Sequence, residues 1–269
     1  MVFLVDHKRS SVEYRVMTEN TVVIKLSGKA LDGQKELGEL FAAAHSSRVV
    51  IVHGGGVEVD SLFKDLNLKV EKKNGLRVSP REQMPFISAA LCGMCNKKLQ
   101  ALAIKNGLKA IGMIASDGNS LGVEQLSADL GMVGKVSPVS ADYINMLLDG
   151  GYTPVIASVA FDSEGQMYNV NADDVASAIG LLLSAPVYFI SDVPGVLDKE
   201  GKLIPSLNEA QLESLIADGT ISGGMQVKVK SAVETARFIG KPVYIASFKD
   251  PSLKEIVSSR HRLGTAIEL

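Results

Sequence analysis

A run of branched apolar residues, Val49-Val50-Ile51-Val52, stops at His53 and three consecutive glycines, Gly54-Gly55-Gly56. A short apolar run halted by glycine reads as a buried strand entering a tight turn. The next stretch, Val57 to Leu66, has apolar residues at helical spacing, so the glycines sit between a strand and a helix N-terminus. Backbone N–H groups uncovered by Cβ atoms approach an anion closely there, and the helix dipole favours negative charge. The chemistry this implies is a cradle for phosphate or carboxylate; the alternative is a glycine-rich turn with no ligand. Three other unusual stretches also fall at strand ends: Lys25-Leu26-Ser27-Gly28, Asn169 to Asp173, and Ser191-Asp192-Val193-Pro194-Gly195. Ligands of open α/β sheets collect at the carboxyl ends of the strands. Phosphoryl transfer spreads negative charge over the moving group and calls for cations, for which Lys25 and Lys228 are candidates. Each lysine alone reads more readily as a solvated side chain. Asp173 and Asp174 follow Asn171, a good N-cap, and acids in a first helical turn complement the dipole without any catalytic role. Asp192 before Val-Pro-Gly also fits plain turn chemistry. Neither a G-x-x-x-x-G-K-[ST] loop nor a G-x-G-x-x-G turn is present, so a bound nucleotide would need another fold.

The elements that must carry these stretches alternate. Strands are expected at Thr21–Leu26, Val49–Val52, Ala110–Ala115, Thr153–Ser158, Val187–Ser191 and Val243–Ala246. Helices are expected at Leu31–Ala44, Val57–Leu66, Ala141–Leu148, from Asn171 to Leu183, Asn208–Ala217 and Met225–Ile239. Asn74-Gly75 centres a hairpin between Val70 and Val78, and residues 119–139 read as short strands or hairpins. Ser79-Pro80-Arg81-Glu82 reads as a capping box opening a long helix to about Asn106, kinked at Pro85. Strands alternating with helices predict an α/β fold, a three-layer αβα sandwich around a mostly parallel sheet. Residues 1–20 read as an extension, with Val2-Phe3-Leu4-Val5 broken at once by charges and no signal-peptide pattern. The remainder, 21–269, reads as one domain with no internal repeat or low-complexity linker.

Composition excludes several classes. The chain is 46% hydrophobic and 22% charged with a formal net charge of −2, which suits a soluble globular protein and gives no sign of a nucleic-acid or polybasic membrane surface. No apolar run approaches the roughly 20 residues that span a bilayer, so cytoplasm is expected. Cys92 and Cys95 are the only cysteines. They lie in an apolar helical run and read as core thiols, although C-x-x-C spacing also occurs in redox pairs and half zinc sites.

Five ordered motifs carry a resemblance: Val-Ile-Lys-Leu-Ser-Gly, Val-Ile-Val-His-Gly-Gly-Gly, Lys-Lys-Asn-Gly-Leu-Arg-Val, Asn-Val-Asn-Ala-Asp and Ser-Asp-Val-Pro-Gly-Val-Leu-Asp. Together, from about Thr21 onward, they resemble the amino acid kinase family, and within it the branch that phosphorylates N-acetyl-L-glutamate in arginine synthesis. The resemblance implies an acyl-amino-acid lobe at about 21–165 and an ATP lobe at about 166–269 on one continuous sheet. It implies that Lys25 and Lys228 stabilise the transferring phosphoryl group and that Asp173 holds the two lysines. Gly55 and Gly56 would offer N–H groups to the acceptor carboxylate and the incoming phosphate. Arg77 would pair with the α-carboxylate, where a planar guanidinium binds bidentately, and Asn169 would bond the same end. Gly28, Asp192, Val193, Pro194, Gly195, Val196, Leu197, Thr220, Ile221 and Ser222 would line the ATP, with Mg²⁺ carried on the phosphates and no protein metal site. The family usually has Lys-Leu-Gly-Gly; here Ser27 replaces the first glycine, which implies a small backbone adjustment and a hydroxyl near the phosphates. Carbamate kinases and aspartokinases are the nearest rivals, and Asn-Gly-Leu-Arg favours the acetylglutamate branch. A non-catalytic sensor of the same fold is the rival of another class, which retention of Lys25, Asp173 and Lys228 speaks against.

Arginine-sensitive members of that family carry an N-terminal helix that links dimers into rings. Residues 1–20 show no sustained helical stripe. A homodimer insensitive to L-arginine is therefore expected, joined through Ile87, Ala90, Leu91 and Met94 of the long helix.

Overall fold

The computed structural model describes residues 21–73, 75–258 and 262–269. The N-terminal extension, with its expected lack of a helix, lies outside the described residues.

Eight strands form the main sheet: β1 (Thr21–Leu26), β2 (Arg48–His53), β3 (Lys109–Ile114), β4 (Tyr152–Ala157), β5 (Val187–Ser191), β6 (Ser206–Leu207), β7 (Val243–Ser247) and β8 (Thr265–Ile267). Their order is β6-β8-β7-β5-β1-β2-β4-β3. The six strands β7-β5-β1-β2-β4-β3 are parallel, and β8 pairs antiparallel with β7. Both halves of the chain thus supply strands to one sheet. Every residue of β2, β5 and β7 is buried, as expected of parallel strands covered on both faces.

Helices cover the two faces: α1 (Gln34–Ala43), α2 (Gly56–Asp65), α3 (Met84–Lys105), α4 (Asp142–Asp149), α5 (Ala172–Leu182), α6 (Glu209–Ala217), α7 (Gly223–Ile239) and the short α8 (Glu255–Ser258). Strand alternation sorts the core. Val23, Val50, Phe189 and Ile245 pack under α4 to α7. Ile24, Ile51, Tyr188 and Tyr244 pack under α1 and the second half of α3. Asn171 caps α5 by accepting from the Asp173 N–H at 2.8 Å, and Asn208 and Gln211 form a reciprocal capping box on α6. The Asn171 cap is as read from the sequence, and the box on α6 is the same N-terminal chemistry.

Two features differ from expectation. Ser79 does not cap a helix; it is fully buried and bridged to Gly131, and a 3₁₀ turn at Arg81–Gln83 comes next. Pro85 does not kink α3. It sits in the first turn, where proline's missing N–H has no partner to lose. The irregularity lies further on, as a π-helical stretch at Ala89–Cys95. Four strands were also missed by periodicity because they are short: β6, β8, Val159–Phe161 and Met167–Val170. The last two join Leu121–Gln125 and Val133–Pro138 in a small second sheet. The hairpin around Gly75 is present, pairing Lys72–Lys73 with Leu76–Arg77. Among the described residues no helix is long and apolar enough to cross a membrane.

The proposed contact stripe on α3 is a correction. Ile87, Ala90 and Leu91 are buried against Val59, Phe63 and Val159 within the same chain, and only Met94, at 52% exposure, faces out. An apolar stripe has the same period whether it meets its own core or another subunit. Ile87→Ala is therefore expected to destabilise the chain by about 2–4 kcal/mol, and Met94→Ala to change it by less than about 0.5 kcal/mol. Urea unfolding checks both; equal small effects would return Ile87 to the surface.

Candidate functional site

Alternation puts Lys25 on the Val23 face of β1, the face covered by α5. There the Lys25 ammonium meets Asp173 at 2.7 Å, with the two side chains 17% and 26% exposed. Asp173 reaches that position because it is the second residue of α5, held by the Asn171 cap. Lys25 also stands 6.0 Å from the Phe189 ring centre. A half-buried ammonium is thereby paired and flanked by an aromatic face.

The glycine turn is fixed from below. His53 is fully buried, and burial holds its pKa down at about 4. Nδ1 lies 2.7 Å from the Gly54 carbonyl and Nε2 lies 3.0 Å from the Asn96 amide nitrogen. A neutral ring meets both demands when Nδ1–H donates to Gly54 and Nε2 accepts from Asn96. Such an imidazole is a structural clamp with no lone pair left for proton transfer. A Cβ at Gly55 would fall 2.6 Å from Cys95 Sγ and 2.9 Å from Leu91 Cδ2, so α2 can approach α3 only with glycine there. A Cβ at Gly56 would meet nothing, so there is open space beside the first residue of α2. Gly54 backs onto Ala172 at the start of α5, and Gly28 backs onto Val57 of α2. The loops after β1 and β2 and the first turns of α2 and α5 therefore converge. Cys95 and Cys92 are free thiols whose burial pushes their pKa values up to about 12 and 11, in line with core thiols.

A cavity between β1, β5, α5 and α7 is lined by Lys25, Ser27, Asp173, Ser191 and Lys228. Burial lowers the pKa of Lys228. Its ammonium is 3.9 Å from one oxygen of Asp192, while Lys29 binds the other at 2.7 Å. The pairing expected of Asp173 with both lysines is thus divided: Asp173 contacts Lys25, and Asp192 draws Lys228. Ser27 Oγ and Ser191 Oγ are buried without a hydrogen-bond partner. Lys29 and Ser191 were not anticipated. Ser191, adjoining Asp192 at a strand end, carried a signal; Lys29, an ordinary exposed lysine, carried none.

The loop after β5 is shaped by β8. Gly195 has φ +141, and a Cβ there would strike Thr265 at 2.6 Å. Thr265 Oγ1 accepts from the Val196 N–H at 2.8 Å and donates to the Ile204 carbonyl at 2.7 Å. Asp192 to Leu197 is therefore anchored from the far strand, with Val196 buried and Leu197 exposed. Thr220, Ile221 and Ser222 lead into α7: Thr220 is turned by Asp218, Ile221 is buried, and Ser222 takes an extended N-cap conformation.

Arg77 lies over α2. Nη2 donates to the Gly56 carbonyl at 3.2 Å and pairs with Asp60, and the guanidinium stacks 5.5 Å from the Phe63 ring centre. Nη1 is buried without a partner. Asn169 joins this corner through Ser79, whose Oγ accepts from Asn169 at 3.1 Å and donates to the Arg77 carbonyl at 3.2 Å. Ser79, read as a helix cap, is in fact the link between two residues of the site.

The amino acid kinase family pattern matches residues 20–247. The chain belongs to the amino acid kinase family. Among solved structures, smu.665 from Streptococcus mutans UA159 is similar at 27% identity and TM-score 0.72, over 92% of this chain and 98% of that one. An N-acetylglutamate synthase from Neisseria gonorrhoeae complexed with coenzyme A and N-acetyl-glutamate is similar at 20% identity and TM-score 0.76, over 98% of this chain but 63% of the synthase. A carbamate kinase from Giardia lamblia bound to AMP-PNP is similar at 15% identity and TM-score 0.61, over 93% and 98%. The last two share the fold. Family and fold neighbours together point to a phosphotransferase.

One further acid of this amino acid kinase stands beside the site. Asp174 lines a groove with Lys135, Ser177, Glu234 and Thr235. Burial, then the charges of Asp173 and Glu234, push its pKa up to about 6, with Lys135 pulling the other way. The native state thus binds this proton more tightly than the unfolded chain, whose carboxyl titrates near ~4. Its destabilising effect is absent at low pH and grows as pH rises from the unfolded value through about 6. Asp174→Asn is expected to match the wild type in thermal midpoint at pH 4 and exceed it by a few degrees at pH 8, at about 2–4 °C per kcal/mol. A lower midpoint for the variant at pH 8 would show that Lys135 dominates.

Proposed function

We propose that this kinase transfers the terminal phosphoryl group of ATP to the γ-carboxylate of N-acetyl-L-glutamate, giving N-acetyl-L-glutamyl 5-phosphate for arginine synthesis in the cytoplasm. The observation that carries the reading is one cavity lined by Lys25, paired with Asp173, and by Lys228, drawn to Asp192; Arg77, with one N–H unpartnered, lies against Gly56 at the start of α2. On this reading Lys25 and Lys228 neutralise the charge that develops on the transferring group. Asp173 fixes Lys25. Gly55 and Gly56 receive the reacting carboxylate and phosphate at the helix N-terminus. The spare Nη1 of Arg77 takes the α-carboxylate, with Asn169 beside it. Gly28, Asp192 to Leu197, and Thr220 to Ser222 hold the nucleotide.

No general base is required, because the acceptor carboxylate, with a pKa near ~4.3, is already an anion. That agrees with a His53 locked in its neutral form. Among the described residues no group of three or more His, Cys, Asp or Glu side chains is placed to hold a metal ion. On this reading Mg²⁺ would be carried on the phosphate oxygens and would supply charge neutralisation there.

ADP release measured with N-acetyl-L-glutamate, L-aspartate, L-glutamate and carbamate side by side tests the acceptor. Activity confined to N-acetyl-L-glutamate is expected. Lys25→Ala and Lys228→Ala should each lower turnover about 100- to 1,000-fold, and Arg77→Ala should raise the acceptor KM about 10- to 100-fold while sparing that of ATP. Preference for another acceptor, or an Arg77 effect on ATP, would overturn the assignment.

The reading includes a homodimer that L-arginine does not inhibit; Phe86 and Met94, left exposed on α3, are compatible with a contact there. Light scattering with and without millimolar arginine, beside an activity titration, should give a dimeric mass and an unchanged rate. A hexamer or a sigmoidal loss of activity would refute it.

A further inference from the structure

Ser27 follows the last residue of β1, and its hydroxyl is committed to nothing in the protein. Ser27 holds the N-cap position of the 3₁₀ turn Gly28–Asp32, with φ −73 and ψ 160, yet makes no side-chain cap bond. A serine there ordinarily accepts from the turn that follows. Its main chain is fully engaged: the N–H donates to the Ile190 carbonyl at 2.9 Å, and the carbonyl accepts from the Ala30 N–H at 2.9 Å. The backbone is thus fixed by β5 on one side and the turn on the other. Only Oγ is spare, and it is buried without a partner.

A buried hydroxyl with no partner is unfavourable and uncommon, and its presence calls for a reason. The reason lies in the neighbours. Ser27 lines the same cavity as the ammonium-bearing Lys25 and Lys228. Lys29, two residues on, adds a third cation tied to Asp192. A spare hydroxyl on the wall of a cation-lined cavity can serve an anion as a directional donor, supplying what lysine charges do not, a fixed angle.

We propose that Ser27 Oγ–H donates a hydrogen bond to the phosphoryl group that passes from nucleotide to acceptor, acting with Lys25 and Lys228. The proposal rests on the kinase reading of the cavity and is independent of which acceptor is used.

The test separates a ligand role from a structural one. Removing an unsatisfied hydroxyl relieves a desolvation penalty, so Ser27→Ala should leave the thermal midpoint of the ligand-free chain unchanged or higher. In calorimetric titrations of the full chain, the same variant should bind ATP roughly 10-fold more weakly, as expected for one lost hydrogen bond to a charged group. Its affinity for ADP, which lacks the transferred group, should change less than about twofold by the same reasoning. Ser27→Gly, which also lacks the hydroxyl, should repeat the loss for ATP should the alanine variant fold poorly. Unchanged ATP affinity in both variants, equal weakening of ATP and ADP, or a lowered midpoint with no selective loss of ATP would each overturn the proposal. A wild-type chain that binds no ATP would overturn the kinase reading itself, an outcome distinct from any of these.

Discussion

The Lys25–Asp173 pair sets the terms for everything near it. A lysine in the middle of a parallel sheet can keep its charge only if a carboxylate comes to meet it. Here the carboxylate comes from the first turn of α5, the one place on that helix where negative charge is favoured by the dipole. The contact at 2.7 Å therefore fixes three things together: which face of β1 the lysine takes, where α5 begins, and why Asn171 must cap it. Once α5 begins there, Ala172 comes to rest behind Gly54, and the glycine turn after β2 is packed from one side by α5 and from the other by Val57 of α2 against Gly28.

Around that pair the charges are unequal. Lys25, Lys29 and Lys228 face Asp173 and Asp192, and each acid is already engaged by a lysine. The balance is positive and surrounded by helix N-termini, an environment fitted to a polyanion. Asp192 serves two lysines with its two oxygens. The loop that carries it is tied to β8 through Thr265, so the most C-terminal strand helps to set the geometry of a site whose first lysine is on β1.

Legibility followed the range of the forces involved. The alternation of strands and helices, the Asn171 cap and the glycine turn are local, and each was readable from neighbouring residues. Arg77 and Asn169 were singled out through a motif, but their link through Ser79 depends on residues ninety positions apart meeting, which no period records. Ser79 was misread because Ser-Pro-x-Glu satisfies a local rule that tertiary burial overrode. Ile87, Ala90 and Leu91 were assigned the right periodicity and the wrong partner, since hydrophobic spacing states that a face is covered without stating by what. Lys29 had no pattern at all: its role comes from where Asp192 arrives.

The π-helical stretch at Ala89–Cys95 has a consequence for how α3 keeps its footing. Ile87, Leu91, Cys95, Leu99 and Ala103 are all buried and recur every fourth residue. In an unbroken α-helix, at about 100° per residue, positions four apart drift by about 40° each step. Over four steps the stripe would wander off its face. The π stretch takes up an extra residue and cancels about 100° of that drift, so the first half of the helix can seal α2 while the second seals α1. The helix is in this sense a phase-corrected spacer. Loss or gain of a single residue within 89–95 would re-index everything beyond it, turning Leu99 and Ala103 towards solvent while leaving the local helix intact.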